Sequence, residues 1–144
     1  MDRSYPSRPF IGVGVVVLKG DDVLLIRRGK QPRMGQWSLP GGLQEVGETV
    51  AEAAHREVME ETAVEIGEPQ VVDIIDAIQH DGDGKVHYHY TLIDMVAPWL
   101  AGEPEAGTDA MHAEWISRDR LAGIDMWSET HRIIELGREM LKDD

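Results

Sequence analysis

Glu57, Glu60 and Glu61 carry the chemistry most open to reading in this chain. On a helix, offsets of three and four residues bring side chains onto one face, with Cβ atoms only about 5–6 Å apart. Three carboxylates held that way repel one another until a cation neutralises them. Their hard oxygens suit Mg²⁺, with Mn²⁺ as the alternative. Upstream, Gly41 and Gly42 free a loop to approach a phosphate. Glu48 stands one residue before a helix start, and Arg56 sits beside the first of the three glutamates. The segment reads as a metal-binding phosphate site.

Those side chains need a helix that starts and ends in the right place. Thr49 and Glu52 form a capping box, with Thr49 as N-cap. Ala51, Ala54, Val58 and Met59 supply an apolar stripe for packing on a sheet. The helix should end near Thr62 to Val64, before Gly67 and Pro69. Ahead of it, Ile11 to Leu18 and Val23 to Arg28 are strand-like runs joined by Lys19-Gly20-Asp21-Asp22, a hairpin signal. Gln31 to Gly35 reads as a loop. Trp37-Ser38-Leu39 is a short extended segment ended by Pro40-Gly41-Gly42.

After the helix, Val71 to Gln79 reads as a strand, Asp81 to Gly84 as a turn, and Val86 to Val96 as a longer strand. Trp99 to Asp109 reads as a loop, Ala113 to Ile116 as a short strand and Ser117 to Leu121 as a turn of helix. Ser128 to Leu141 closes the chain as an amphipathic helix, with Ile133, Ile134, Leu136, Met140 and Leu141 as its buried side. Hairpin-like strand groups with one helix mid-chain and one at the end favour a mixed sheet between helices, an α/β (α+β) sandwich.

The 144 residues suit a single domain spanning 1–144. With 14 Lys and Arg against 27 Asp and Glu, the net charge of -13 argues against nonspecific binding to a nucleic-acid backbone. Small phosphorylated substrates remain compatible, because bound metal ions invert the local field. Cysteine is absent, which excludes thiolate catalysis and Cys-based zinc sites. Val13 to Leu18, the longest apolar run, is too short to span a membrane. No signal core follows the N-terminus, so a cytoplasmic location is expected.

The spacings around the glutamates resemble the signature of the Nudix hydrolases, in which a glycine, a glutamate and an Arg-Glu…Glu-Glu helix stand at fixed intervals. Here Gly42, five residues, Glu48 and seven residues precede Arg56-Glu57-Val58-Met59-Glu60-Glu61-Thr62-Ala63-Val64. Gly35, Trp37 and Leu39-Pro40-Gly41-Gly42 match the usual lead-in. The departure is Ala63, where the family has glycine. A residue just past a helix end often takes a left-handed conformation, which costs alanine about 1 kcal/mol relative to glycine. Weaker local stability, or a different helix end, is the expectation.

The resemblance implies an α/β/α sandwich with the box as a loop–helix–loop platform, and hydrolysis of a nucleoside diphosphate linked to another moiety. Glu57, Glu60 and Glu61 would bind the metal, with a Gly41 or Gly42 carbonyl adding a ligand and Glu57 doubling as base. Arg56 and Glu48 would hold the glutamates in place. A bound divalent metal would neutralise charge on the pyrophosphate and activate a water. A carboxylate beyond the box would assist: Glu105, with Glu103 and Asp109 as alternatives. Arg27 and Arg28 could reach phosphates. Tyr88, Tyr90 and Trp127 are candidates for stacking on a base.

Bland readings compete with some of these. An acidic helix face alone is most often solvated; the glycines, Glu48, Arg56 and the capping box tip the balance here. His87 and His89 share a strand face, but no third ligand stands at a clear spacing, so they read as strand residues flanking a cleft. ADP-ribose or a similar nucleoside diphosphate sugar is the first expectation for substrate. The ADP-ribose-specific members often carry a proline downstream of the box where this chain has Gln79 and His80. A (d)NTP pyrophosphatase of the nucleotide-sanitising kind is the enzyme alternative. A noncatalytic nucleotide-binding module is the third. Family habit suggests a homodimer.

Overall fold

The computed structural model describes residues 2–142 apart from 32 and 108. Eight strands join in one mixed sheet: β1 (Phe10–Lys19), β2 (Asp22–Arg28), β3 (Trp37–Ser38), β4 (Gly41–Leu43), β5 (Glu65–Ile66), β6 (Gln70–His80), β7 (Val86–Ala101) and β8 (Ala110–Ile116). Among the described residues three helices, α1 (Val50–Thr62), α2 (Arg118–Leu121) and α3 (Ser128–Lys142), accompany the sheet.

The central strand explains the layers. Along β1, Val13, Val15 and Val17 pack with Ala53, Ala54 and Val58 of α1, while Val16 joins Ile133 and Ile134 of α3 on the opposite face. Burial on both faces is why this run reads as continuously apolar rather than alternating. One edge of β1 runs parallel to β7 from Phe10↔Tyr90 to Leu18↔Pro98. The other edge is shared. Its end pairs with β2 at Leu18↔Val23 and Lys19↔Asp22, and its start pairs with β4 at Gly12↔Leu43, Val13↔Gly42 and Gly14↔Gly41. Beyond the hairpin, β2 leaves β1 to pair with β8 and β3. The splay between β1 and β2 opens the cleft that holds the site.

Several elements differ from the expectation. Gly41–Leu43 is a strand rather than a loop; two glycines carry no β signal, and its extended form comes from pairing with β1. β7 runs on through Trp99 to Ala101 because β5 pairs with it at Ile66↔Trp99 and Glu65↔Ala101. Pro98 lies inside this strand, and its carbonyl accepts from Gly67 N–H at 2.8 Å. In α1 the buried residues are Ala53, Ala54, Val58, Glu61 and Thr62, while Met59 is 47% exposed. Met59 is five positions, about 140° of helix rotation, from Ala54, so it points away from the sheet. In α3, Leu136 is exposed and Gly137 lies against Val96 and Val16 instead. Among the described residues no helix is long and apolar enough to cross a membrane.

Candidate active site

The capping box forms as read. Glu52 N–H donates to Thr49 Oγ1 at 3.0 Å, and Thr49 N–H donates to Glu52 Oε1 at 2.9 Å. That fixes the first turn of α1 and places Glu48 beside it. Arg56 then lies within reach of everything the loop must hold. Its Nε and Nη2 donate to the two Glu48 oxygens at 2.7 and 2.9 Å, and Nη2 also donates to the Leu43 carbonyl at 3.0 Å. Nη1 reaches Glu57 at 2.7 Å and Glu60 at 3.2 Å. The fork on Glu48 is the bidentate geometry that guanidinium suits, and it holds the Glu48 carboxyl down at about 2. One cation thus ties the loop, β4 and the helix together.

The glutamates divide by burial. Glu61 is 5% exposed and accepts from Gly41 N–H at 2.6 Å. Loss of solvent pushes its carboxyl up to about 8, with the Glu57 charge adding and the Gly41 bond and Arg28 opposing. Glu57 is half-buried, and burial raises it too, against the pull of Arg56. Glu60 lies on the outer side, its side chain 53% exposed, held only by Arg56. Gly42 leaves room for Glu57: a Cβ on it would lie 2.5 Å from the Glu57 carboxyl carbon and would displace that carboxylate.

The loop after β7 closes the far end of α1. Glu105 N–H donates to the Thr62 carbonyl and Gly107 N–H to the Glu61 carbonyl, each at 2.9 Å, so backbone amides satisfy carbonyls the helix leaves open. Ala63 takes the left-handed conformation, φ 62°, and its N–H bonds the Met59 carbonyl at 2.9 Å. The helix therefore ends as a glycine would end it, and not in some other way. Of the three loop carboxylates, Asp109 lines the cleft and its charge helps raise Glu61. Glu103 faces Lys19 at 3.8 Å, and Glu105 is exposed and outside the cleft lining.

The cleft encloses about 430 Å³, within the range of small-ligand sites. Glu57 and Glu61 stand at one side with Gly41 and Gly42. Tyr88, Tyr90 and Trp127 line it as well, and Arg33 lies 4.7 Å over the Trp127 ring. Arg27 does not line it. Its guanidinium sits 4.9 Å from the Trp37 ring, and the strand alternation turns Arg28 into the cleft instead. His87 stacks on Tyr5 at 4.9 Å.

Among the described residues, no three His, Cys, Asp or Glu side chains converge as a closed metal cluster. The donor set still fits a hard divalent cation. Two carboxylates share the cleft, both raised chiefly by burial, and a cation would stabilise their charged forms. Sequence reasoning missed Asp94 and Trp37, which line the same cleft; only their strand alternation could have pointed to them.

A family model of the NUDIX domain matches residues 8–136. The chain is 34% identical to an ADP-ribose pyrophosphatase of Methanocaldococcus jannaschii over 113 residues, 78% of this chain and 64% of that one. It is 31% identical to the 8-oxo-dGDP phosphatase NUDT18 of Homo sapiens over 112 residues, 78% of this chain and 33% of that one. It spans between a third and two thirds of the length of the first relatives it matches. The crystal structure of a MutT NUDIX hydrolase from Burkholderia pseudomallei superposes with a TM-score of 0.77 at 26% identity, covering 90% of this chain and 98% of that one. The chain belongs to the Nudix hydrolase family.

Proposed function

We propose that this protein hydrolyses the pyrophosphate linkage of a nucleoside diphosphate derivative, with a Mg²⁺ ion (Mn²⁺ as substitute) and an ADP-ribose-type molecule as the first substrate. The observation that carries this is the pairing of two desolvated carboxylates, Glu57 and Glu61, beside a glycine strand in a nucleotide-sized cleft. Glu57 and Glu61 would hold the metal, Glu60 would join them from the rim, and the Gly41 carbonyl would add an oxygen. The metal would supply charge neutralisation on the phosphates and a water activated at neutral pH.

The chain supplies the rest. Arg56, gripped by Glu48, keeps Glu57 and Glu60 in position while Gly41 N–H holds Glu61, and that is their part in the chemistry. Arg28 and Lys30, on the cleft wall, face the negative charge of a phosphate chain. Glu57 is placed to take a proton, and Asp109 is better placed than Glu105 to assist from the loop. Trp127 with Tyr88 and Tyr90 offers faces for a base.

A nucleotide-sanitising activity on (d)NTP or (d)NDP substrates is the second reading, favoured by the human relative's name. The test is a panel of nucleoside diphosphate sugars, dinucleotides and (d)NTPs with Mg²⁺, following release of monophosphate. Glu61→Gln and Glu60→Gln serve as controls. Turnover that survives both substitutions would sink the metal platform, and no turnover on any compound would favour a binding module.

A further inference from the structure

Asp94 is the buried titratable group that the reading above leaves unused. It is 7% exposed, in the middle of β7, and lines the cleft. No hydrogen bond reaches its carboxylate from any described residue. Arg132, whose charge acts on Asp94, is already committed: it donates to Asp73 at 3.0 Å and to Glu129 at 2.6 and 3.0 Å. Asp73 is also the cross-strand partner of Asp94, and like charges placed opposite each other are destabilising. A largely buried carboxylate without a donor, facing another, is a cost that the charge of Arg132 offsets only in part.

Its surroundings direct it into the cleft. Gly14, its partner on β1, leaves room for it: a Cβ there would stand 2.5 Å from Asp94 Oδ1. Two residues along the same face is Leu92, and four along is Tyr90, both lining the cleft. The Tyr90 hydroxyl is buried and has no hydrogen-bond partner among the described residues. One strand face therefore offers the cleft an acceptor, an apolar step and a hydroxyl in line. Trp37 and Trp127 add aromatic surface to the same space.

We infer that Asp94 is a specificity-determining residue, which accepts a hydrogen bond from the exocyclic amino group of a nucleobase while the Tyr90 hydroxyl meets a neighbouring ring atom. The inference rests on the cleft being a nucleotide site. A site built around an unpaired acceptor rejects a ligand lacking the matching donor, because the acceptor is then left buried and unpaired. Bases with an amino group are thereby separated from oxo-purines without one.

The test is calorimetric binding of AMP, GMP and IMP, which carry no pyrophosphate to cleave, to the wild type, Asp94→Asn and Gly14→Ala. Wild type should bind AMP or GMP about tenfold or more tightly than IMP, the loss of one charge-assisted bond. Asp94→Asn should reduce that ratio to near one with its circular dichroism unchanged, since it removes a buried unpaired charge. Gly14→Ala, which crowds the carboxylate without altering it, should also lower the ratio. An equal ratio in wild type and Asp94→Asn, or no binding of any monophosphate, overturns the inference. Amino preference that depends on Asp94 in a protein without turnover would count against the hydrolase reading alone. Turnover with no base preference would count against Asp94 alone.

Discussion

Glu61→Gln should stabilise the metal-free protein at pH 8 and leave it unchanged near pH 4. The carboxyl rises from 4.5 to about 8 on folding, chiefly through loss of solvent. Below pH 4.5 both folded and unfolded chains hold the proton, and burial carries no charge penalty. Between 4.5 and 8 the unfolded chain releases the proton while the folded one keeps it, so stability falls as pH rises. At about 1.4 kcal/mol per pH unit the whole displacement corresponds to roughly 5 kcal/mol. Local relaxation reduces that to about 2–4 kcal/mol. Glutamine mimics the protonated acid, and its carbonyl still accepts from Gly41 N–H. At about 2–4 °C per kcal/mol for a chain near this size, the variant's Tm should exceed wild type by roughly 4–16 °C at pH 8. Differential scanning calorimetry in EDTA across pH 4 to 8.5 measures this. Added Mg²⁺ should raise the Tm of wild type and leave the variant flat. A variant less stable than wild type at pH 8, or a difference that does not grow with pH, would refute the burial reasoning.

Arg56→Lys loses the fork that grips both Glu48 oxygens; urea unfolding should show a loss of about 2–3 kcal/mol, and turnover on the active substrate should fall about 10–100-fold. Gly42→Ala puts a methyl 2.5 Å from the Glu57 carboxyl, so turnover should drop about 100-fold. Gly82→Ala, which meets nothing within 4 Å, should be neutral in the same assay. Ala63→Gly relieves a left-handed alanine, φ 62°, and should raise stability by about 1 kcal/mol by denaturant titration. Asp109→Asn should lower kcat more than Glu105→Gln, because of the two only Asp109 lines the cleft; a larger loss in Glu105→Gln would return the loop assignment to Glu105.

What could be read in the sequence is what local chemistry determines. Thr49 and Glu52 are three residues apart, so their reciprocal bonds need nothing but a helix, and the register of Glu57 and Glu61 follows from the same helix. Burial is different, because it is set by neighbours far along the chain. Glu60 differs from Glu61 by one position and the same side chain, yet one is at the rim and the other inside, since only the sheet decides which side of α1 is dry. Ala54 and Val58 of the expected stripe are buried, and Met59 alone is exposed, for that reason. β4 and β5 are too short and too poor in β-branched residues to announce themselves; each exists only because a long strand offers an edge. The loop carboxylates could not be ranked by spacing, because the bonds of Glu105 and Gly107 to the end of α1 turn Asp109, not Glu105, toward the cleft.

Asp94 shows the same limit from the other side. In sequence it is one polar residue in an apolar strand, with no motif around it. Its meaning depends on three facts from elsewhere: a glycine at the paired position of β1, an Asp73 across β6, and an Arg132 on α3 already engaged. The box glutamates are a cluster whose cost a metal would offset, and their spacing reveals them. Asp94 carries the same kind of cost singly, and a single buried acceptor is answered by a donor from a ligand. If cleavage is assigned to the part of the site that local spacing makes visible, substrate choice belongs to the part that only the register of the sheet assembles. Members with the same box can then differ in what they bind by changes on β1 and β7 that leave the box untouched.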